Sequence, residues 1–275
     1  MAPVKAGGKA TVFGAAGFIG RHLVEYLERG GWDVRGFGRG DEGWRGENLG
    51  HVFYCAGLTA DFRQRPFDAI AAHVGLATEL LSQARFDSFL YASSTRVYAG
   101  ARRAVETARL SVDPHDPSDL YNLSKLTGEA ASLAHPNPAV RIARLSNVFG
   151  HDPASDNFLN AVLREVARDG QVTMRSGPTS AKDFIAVEDV CCAVAAIAAR
   201  GEARLYNVAA GRNTTNAEIA AALAGLGAPV SYAPGAATTD FPVIDVTRLR
   251  GLGIGPGRAV TDALPDLLEQ TRAAV

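Results

Sequence analysis

The sequence predicts an α/β fold in which a doubly wound parallel sheet carries a small C-terminal lobe. Short apolar segments alternate along the chain with longer segments of helical periodicity, which is typical of parallel strands joined by helices. A glycine-rich turn from Gly14 to Gly20 follows the first apolar segment and precedes a helical pattern. The length of 275 residues is enough for one large domain with a small addition.

Residues 9–13 are predicted to form a buried strand, because the segment is apolar without strict alternation. The helix after the glycine turn has apolar residues three or four positions apart from Ile19 to Leu27, and Gly30 ends it. Further strands are predicted at residues 33–37, 52–54, 88–92 and 140–145, and further helices at about 67–83 and 121–134.

The connection after the second strand is unusually short. Only twelve residues separate Arg39 from Val52, and several of them are glycines. Because a crossover between parallel strands needs about a dozen residues by itself, this segment has no room for a helix, another strand and a second helix. We therefore expect a direct, loop-like crossover.

The alternation of strands and helices predicts a Rossmann domain in residues 1–150. We expect about 183–212 to rejoin it, through a strand around Ile185 and the segment Tyr206–Ala209. Residues 151–182 and 213–275 are expected to form a small lobe that closes over a substrate.

The composition limits the classes of partner. Lys plus Arg is 28 and Asp plus Glu is 29, so the net charge of -1 predicts neither a nucleic-acid surface nor a membrane anchor. The three cysteines include no C-x-x-C pair, which favours reduced thiols and a cytoplasmic location, and no metal site is expected.

The glycine turn predicts a dinucleotide site. Gly14 permits the tight turn, Gly17 allows a pyrophosphate to approach the backbone, and Gly20 lets the helix pack against its strand. The amides of Phe18 and Ile19 would face the phosphates at the helix N-terminus. The alternative for a glycine motif taken alone is a tight turn with no ligand.

The end of the second strand favours NADP over NAD. An acidic residue there would bind the ribose 2′-hydroxyl of NAD, whereas an arginine accommodates the 2′-phosphate of NADP. The sequence has Arg39 at this point, and Asp41 lies too far into the loop for the acidic role. The alternative for Arg39 is a solvated loop charge.

Ser94, Tyr121 and Lys125 form the predicted catalytic set. Tyr121 and Lys125 are four residues apart on one helix face, so we expect the ammonium to lower the pKa of the phenol and to bind the nicotinamide ribose. Ser94 follows a strand at the sheet edge where α/β proteins bind ligands. Surface exposure of the helix pair and turn capping by the serine are the alternatives.

In combination these motifs resemble the extended short-chain dehydrogenase/reductase family, the NAD-dependent epimerase/dehydratase group that acts mostly on nucleotide sugars. The similarity covers almost the whole chain. Its motifs are Gly14-x-x-Gly17-x-x-Gly20, Cys55-Ala56-Gly57, Ser93-Ser94-Thr95-Arg96-Val97-Tyr98, Tyr121-x-x-Ser124-Lys125, the segment 144–150, the segment 182–190 and Tyr206-Asn207-Val208.

The resemblance implies roles for single positions. Ser94 corresponds to the family's catalytic Ser/Thr, and Ala56 and Gly57 would line the cofactor. Asn147 and Lys182 would approach the phosphates of the substrate. A homodimer through the helices at about 67–83 and 121–134 is expected by analogy.

The chain departs from the family pattern at several substrate positions. Thr95 and Arg96 stand where 4,6-dehydratases have Asp-Glu, which excludes that elimination, although Thr95 is still expected to contact substrate. Lys182 replaces an arginine, and the segment 232–238 lacks the arginine that often clamps the diphosphate.

Two histidines have open roles. His73 replaces a helix asparagine, and we interpret it as a packed residue with a change in a proton relay as the alternative. His151 beside Asp152 is either an additional acid/base or a solvated loop residue.

These patterns predict hydride transfer at a secondary alcohol or ketone of a sugar-like, nucleotide-linked substrate. An NADPH-dependent ketoreductase is favoured on account of Arg39 and the weakened phosphate clamp. The alternatives are an epimerase with tightly bound NAD and, in another class, a non-catalytic NADP-binding regulator or RNA-associated protein.

Overall fold

A six-stranded parallel sheet lies at the centre of the chain, with strand order β2-β1-β3-β4-β5-β9. The structure, a computed structural model, describes residues 8–59, 62–152, 155, 157–255 and 257–274. The strands are β1 Lys9–Phe13, β2 Asp33–Phe37, β3 His51–Tyr54, β4 Ser88–Ser94, β5 Val140–Leu145, β6 Asn147–Phe149, β7 Val172–Ser176, β8 Ala181–Ala186, β9 Leu205–Val208, β10 Asn213–Thr215 and β11 Val230–Ala237. The helices are α1 Phe18–Arg29, α2 Pro66–Ile70, α3 Leu76–Gln83, α4 Asp119–Ala134, α5 Phe158–Asp169, α6 Val187–Arg200, α7 Asn216–Gly225, α8 Thr247–Gly251 and α9 Val260–Ala274.

Both faces of the central sheet are buried, which explains the apolar character of its strands. Val12 and Phe53 point into a cluster with the apolar residues of α1 and α6, whereas Phe13 and Tyr54 point into a second cluster that includes α3. Side chains of a strand alternate between the two faces, so neighbouring residues serve different clusters. The predicted doubly wound parallel sheet is confirmed.

The short crossover from β2 to β3 is also confirmed, because residues 38–50 contain neither a helix nor a strand. Trp44 fills the space on the sheet that a helix would occupy: it is 2% exposed and packs edge-on against Phe13 at 6.3 Å between ring centroids. Arg45 lies over the Trp44 ring and forms an ion pair with Glu79 on α3. The buried tryptophan and this ion pair are among the contacts that hold the loop in place.

The strand around Ile185 is β8, which lies outside the central sheet. It pairs with β6 and β10 in a separate three-stranded sheet, whereas β9 is the strand that rejoins the central one. The two faces of β8 contact different cores. Ile185 packs into the cluster of α1 and α6, and its neighbours Phe184 and Ala186 pack into another cluster.

That other cluster joins α5, β7, α7 and α9, with Leu159, Met174, Ile219 and Leu264 among its buried members. β7 and β11 form a two-stranded parallel sheet beside it. The division into a cofactor domain and a closing lobe stays a prediction. Within the described ranges, no helix is both long and apolar enough to cross a membrane.

Candidate active site

The glycine turn between β1 and α1 requires two of its glycines. Gly14 has φ +80°, and a Cβ there would lie 2.7 Å from the Ala56 nitrogen. A Cβ on Gly20 would lie 2.1 Å from the Gly14 oxygen, so the helix could not pack this closely with any side chain at that position. The turn therefore lies against the loop after β3, as the predicted roles of Gly14 and Gly20 require.

The N-terminus of α1 is suited to an anion. Gly17 is its N-cap, no side chain caps it, and no acidic residue lies in its first turn. Because the first amides of a helix lack partners within the helix, those of Phe18 and Ile19 can bind an oxyanion. This arrangement fits the diphosphate of a dinucleotide.

The loop after β3 lies between the glycine turn and the helix α4 and contacts both. A Cβ on Gly57 would lie 3.3 Å from His73 Nε2 and 3.4 Å from Lys125 Nζ. Because glycine has no side chain, the backbone of this loop can approach both groups closely. Ala56, the residue before it, touches Gly14. The structure thus brings together the residues predicted for the cofactor from β1, β3 and α4.

Arg39 lies two residues beyond β2 and is exposed. No carboxylate in the described part of the chain pairs with it, whereas Arg35 lies 3.7 Å from Glu47 and over the Phe37 ring. Asp41 accepts a hydrogen bond from the Gly43 amide at 2.9 Å. Asp41 thus bonds within its own loop, and the guanidinium of Arg39 has no carboxylate partner among the described residues.

Ser94 and Tyr121 meet at the carboxyl end of β4. Ser94 ends the strand, and Tyr121 lies in the first turn of α4 with 4% exposure. The two side chains are close enough for the Ser94 hydroxyl to lower the pKa of the Tyr121 phenol. The Ser94 oxygen also accepts the Arg96 amide at 3.2 Å. Two hydroxyl groups therefore converge where a substrate oxygen would need them.

Lys125 is buried behind this pair. Its ammonium donates to the Ala92 carbonyl at 2.9 Å and lies 5.3 Å from the centre of the Tyr91 ring. Burial lowers the pKa of Lys125 to about 8, although the nearby Cys55 and Glu129 act in the opposite direction. A lysine in this state is poised to change its charge near neutral pH.

The expected effect of Lys125 on the phenol is not found. The pKa of Tyr121 is raised, because burial outweighs the hydrogen bond from Ser94 and the charge of Arg96, the two influences that lower it. The Lys125 ammonium is directed to the Ala92 carbonyl, and the cation facing the phenol is Arg96. This prediction was wrong because sequence spacing does not give the direction of the lysine side chain.

Glu129 fastens α4 to the central sheet. Its carboxylate forms a paired hydrogen bond with Arg144 of β5, at 2.9 Å and 2.6 Å, and accepts the Ser93 hydroxyl at 2.5 Å. Both charged side chains are at most 5% exposed. This buried pair holds α4 in one position along the central sheet. The positions of Tyr121 and Lys125 relative to β4 are fixed in the same way.

His73 lies on a π-helical turn, Ala71–Gly75, that interrupts the predicted helix. Its Nε2 accepts the Leu58 amide at 3.1 Å, so the proton of the neutral ring is on Nδ1, 2.8 Å from the Ser124 hydroxyl. Ser124 in turn donates to the Tyr121 carbonyl at 2.9 Å. The packed interpretation holds, and the ring also meets Tyr121 edge-on at 5.2 Å.

The predicted substrate residues lie on two neighbouring elements. Asn147 is exposed and donates to the Asp183 carbonyl at 2.8 Å, and the Lys182 ammonium lies 5.1 Å from the Phe158 ring centre. Burial and then the charge of Arg96 lower the pKa of Lys182. Thr95 is 4% exposed at the start of a 3-10 turn, and its contact with substrate stays a prediction.

The pair His151-Asp152 is tied to α1. Arg21 donates to the His151 carbonyl at 3.3 Å and forms an ion pair with Asp152 at 3.3 Å. The carboxylate is thus engaged with an arginine and does not orient the imidazole. The described residues contain no group of three His, Cys, Asp or Glu side chains that could bind a metal ion.

Sequence reasoning undervalued Arg96 and missed Phe62. The Arg96 guanidinium lies 5.2 Å from the Phe62 ring centre and 5.6 Å from that of Tyr121. Phe62 is 1% exposed and packs on Tyr121. The sequence signal for Arg96 was its place two residues after Ser94, whereas a single phenylalanine in a loop carried none.

A glycine turn at a helix N-terminus beside a Ser–Tyr–Lys set defines the class of NAD(P)-dependent short-chain dehydrogenases/reductases. The comparison with protein families agrees: the NAD dependent epimerase/dehydratase family matches residues 10–209. The chain belongs to this family and is an enzyme.

One sequence relative and two solved structures are similar to this chain, and the solved structures agree with its fold. The UDP-glucose 4-epimerase of Mycolicibacterium smegmatis is 28% identical over 264 residues, which is 80% of this chain and 83% of the relative. MoeE5 in complex with UDP-glucuronic acid and NAD has a TM-score of 0.81 at 24% identity, covering 98% of this chain and 100% of its own. RMD from Pseudomonas aeruginosa complexed with NADPH has a TM-score of 0.78 at 21% identity, with 96% and 100% covered.

Proposed function

We propose that this enzyme transfers hydride reversibly at a secondary alcohol of a nucleotide sugar, as an epimerase that keeps its nicotinamide cofactor. The observation that carries the proposal is the proximity of the Ser94 and Tyr121 hydroxyls at the carboxyl end of β4, close to the glycine turn. Two hydroxyl groups at this edge of a parallel sheet can bind a substrate alcohol and exchange a proton with it.

The residues fit a nicotinamide dinucleotide. The α1 amides would bind its diphosphate, Ala56 and Gly57 would line it, and Lys125 and Tyr121 would hold its ribose. When bound, the cofactor accepts and returns hydride.

Tyr121 would handle the proton. When the substrate alcohol is oxidised, the Tyr121 phenolate takes the proton of the alcohol hydroxyl. In the reverse step the Tyr121 phenol returns that proton to the substrate oxygen. Ser94 would hold the reacting oxygen by a hydrogen bond. Burial favours the neutral phenol, and the Ser94 hydrogen bond and the charge of Arg96 favour the phenolate. The balance between these influences would let Tyr121 work in both directions.

The epimerase assignment draws support from the relatives, since one is named as a UDP-glucose 4-epimerase and the family carries epimerases in its name. A second candidate is a net NADPH-dependent ketoreductase. It is favoured by Arg39, an exposed guanidinium at the end of β2 where an NAD enzyme would have an acidic residue.

The first test is identification of the nucleotide released when the purified enzyme is denatured, followed by NADPH and NADH titrations of the emptied protein. Retained NAD supports the epimerase. An empty protein that binds NADPH at least tenfold more tightly than NADH, with the preference lost in Arg39→Ala, supports the reductase.

The catalytic assignment is tested with Tyr121→Phe, and Tyr232→Phe serves as the matched control. Loss of a general acid/base should lower kcat by roughly 100- to 10,000-fold. Full turnover by Tyr121→Phe would refute the role. Turnover lost equally in Tyr232→Phe would point to a structural effect.

We also propose a homodimer through α2–α3 and α4. Phe67 is 83% exposed, Ile70 40% and Leu133 45%, and all three lie on these helices. Large apolar side chains left in water at neighbouring surfaces are typical of an interface.

A further inference from the structure

One charged side chain of the site has no ligand in the proposed mechanism. Arg96 follows Ser94 by two residues, and its guanidinium lies over the Tyr121 ring, where its charge lowers the pKa of the phenol. On the basis of the proposed function, we infer that Arg96 binds an anionic group on the sugar itself. The substrate class is then a nucleotide sugar that carries a carboxylate.

The position of Arg96 links it to the reacting sugar. Its backbone amide donates to the Ser94 oxygen at 3.2 Å, and its guanidinium carbon lies 5.6 Å from the centre of the Tyr121 ring. A sugar whose alcohol reaches both hydroxyls would therefore approach the ring that this guanidinium covers. The nucleotide phosphates would lie towards Asn147 and Lys182.

The guanidinium is held in place but keeps free donors. The rings of Phe62 and Tyr121 contact it, and Nη2 donates to the Ser118 carbonyl at 3.2 Å. A guanidinium has five N–H donors, so one bond to a carbonyl leaves most of them for a ligand. A fixed, planar fork of donors suits a carboxylate, which it can bind through two parallel hydrogen bonds.

The charge around Arg96 is not balanced by contact. No carboxylate among the described residues lies within 4.0 Å of its guanidinium; Asp116 and Asp119 act on it only through longer-range charge. Burial and the nearby Arg63 lower the pKa of Arg96, and Arg96 itself lowers the pKa of Lys182. An anionic ligand in direct contact with the Arg96 guanidinium would offset the repulsion from these neighbouring cations.

The test compares two substrates that differ only at the sugar C6, UDP-glucuronic acid and UDP-glucose, on the wild type and on Arg96→Met. We expect the wild type to prefer the uronate. Arg96→Met removes the charge beside Tyr121 for both substrates, but it should lower kcat/KM for the uronate by roughly 10- to 100-fold more than that for UDP-glucose, as for loss of a charged hydrogen bond. Arg96→Lys should recover part of the loss.

Arg63→Met is the matched control. Arg63 is exposed, its guanidinium lies over Phe62 and donates to the Ser118 hydroxyl at 2.9 Å, and no contact with Tyr121 is among its described interactions. It should reproduce little of the Arg96 effect.

Each other outcome is decisive. Equal losses on both substrates would overturn the subsite and make Arg96 a positioning residue for Tyr121. A wild type that prefers UDP-glucose would overturn the subsite while the proposed function stands. Absence of turnover and of cofactor reduction with both sugars would refute the proposed function itself, and the inference with it.

Discussion

His73 gives the fold a specific weakness in acid. Its ring is fully buried, and burial together with the charge of Lys125 lowers its pKa to about 3. Protonation would also remove the Nε2 lone pair that accepts the Leu58 amide. The folded protein therefore keeps this histidine neutral under conditions in which an unfolded chain would protonate it.

The size and sign of the effect follow from the two pKa values. The unfolded histidine has a pKa of about 6.5, so below that pH the unfolded state binds a proton that the native state refuses. The free energy of unfolding therefore falls as the pH drops from about 6.5, and it levels off near pH 3. Between pH 8 and pH 5 the His73 contribution is a loss of about 2 kcal/mol, at about 1.36 kcal/mol for each unit of pKa difference.

The assay is urea unfolding at pH 8 and at pH 5, on the wild type and on His73→Asn and His73→Gln. Each variant will change the stability at pH 8 through packing, but the difference between the two pH values isolates the charge. We expect that difference to be about 2 kcal/mol larger in the wild type than in either variant. Other groups whose pKa changes on folding, such as His51, remain in all three proteins and cancel.

His115→Asn, at an exposed loop histidine, should keep the wild-type pH dependence. If the wild type and both His73 variants lose the same stability between the two pH values, then His73 is not held neutral and the reasoning fails.

Three further changes test other parts of the structure. Glu129→Gln leaves Arg144 buried without its counter-charge, so urea unfolding should show a loss of about 3–5 kcal/mol. Gly20→Ala places a Cβ 2.1 Å from the Gly14 oxygen and should cost about 1–3 kcal/mol by the same assay, with weaker cofactor binding. Phe67→Glu puts a charge on the proposed dimer face, and sedimentation should show a monomer that is otherwise as stable as the wild type.

Each of these three changes has a matched control. Glu188→Gln alters an exposed carboxylate of α6 and should change stability by less than about 0.5 kcal/mol. Gly225→Ala adds a Cβ with no atom within 4 Å and should not destabilise the protein. Val243→Glu alters an apolar side chain that is 60% exposed but lies outside the proposed face, so the oligomeric state should stay unchanged. An equal effect in a control and its partner would contradict the corresponding argument.

The features that could be predicted from the sequence depend on local spacing. The glycine turn, the strands beside it and the helical pair Tyr121 and Lys125 all follow from patterns within a few residues. The missing helix between β2 and β3 followed from counting residues, because chain length limits what a crossover can contain.

The remaining features depend on contacts between distant segments. A sequence period of 3.6 does not reveal the π turn at His73, which is stabilised by hydrogen bonds from Tyr54 and Tyr91 to the carbonyls of Ala72 and His73. Nor could spacing show that β8 pairs with β6 instead of β9. The direction of Lys125 is set by the Ala92 carbonyl, thirty-three residues away in the chain.

The charge of Arg96 connects substrate identity to proton transfer, which yields a last prediction. Arg96 lowers the pKa of Tyr121, against the larger effect of burial. A carboxylate bound at Arg96 would neutralise that influence, so the pKa of the phenol should be higher in the substrate complex than in the free enzyme. In pH profiles with UDP-glucuronic acid, the pKa that Tyr121 gives to kcat should then be higher than the pKa that it gives to kcat/KM. When UDP-glucose is the substrate, the two pKa values should be equal. Equal pKa values in the two profiles with both substrates would show that a ligand at Arg96 does not change the ionisation of Tyr121.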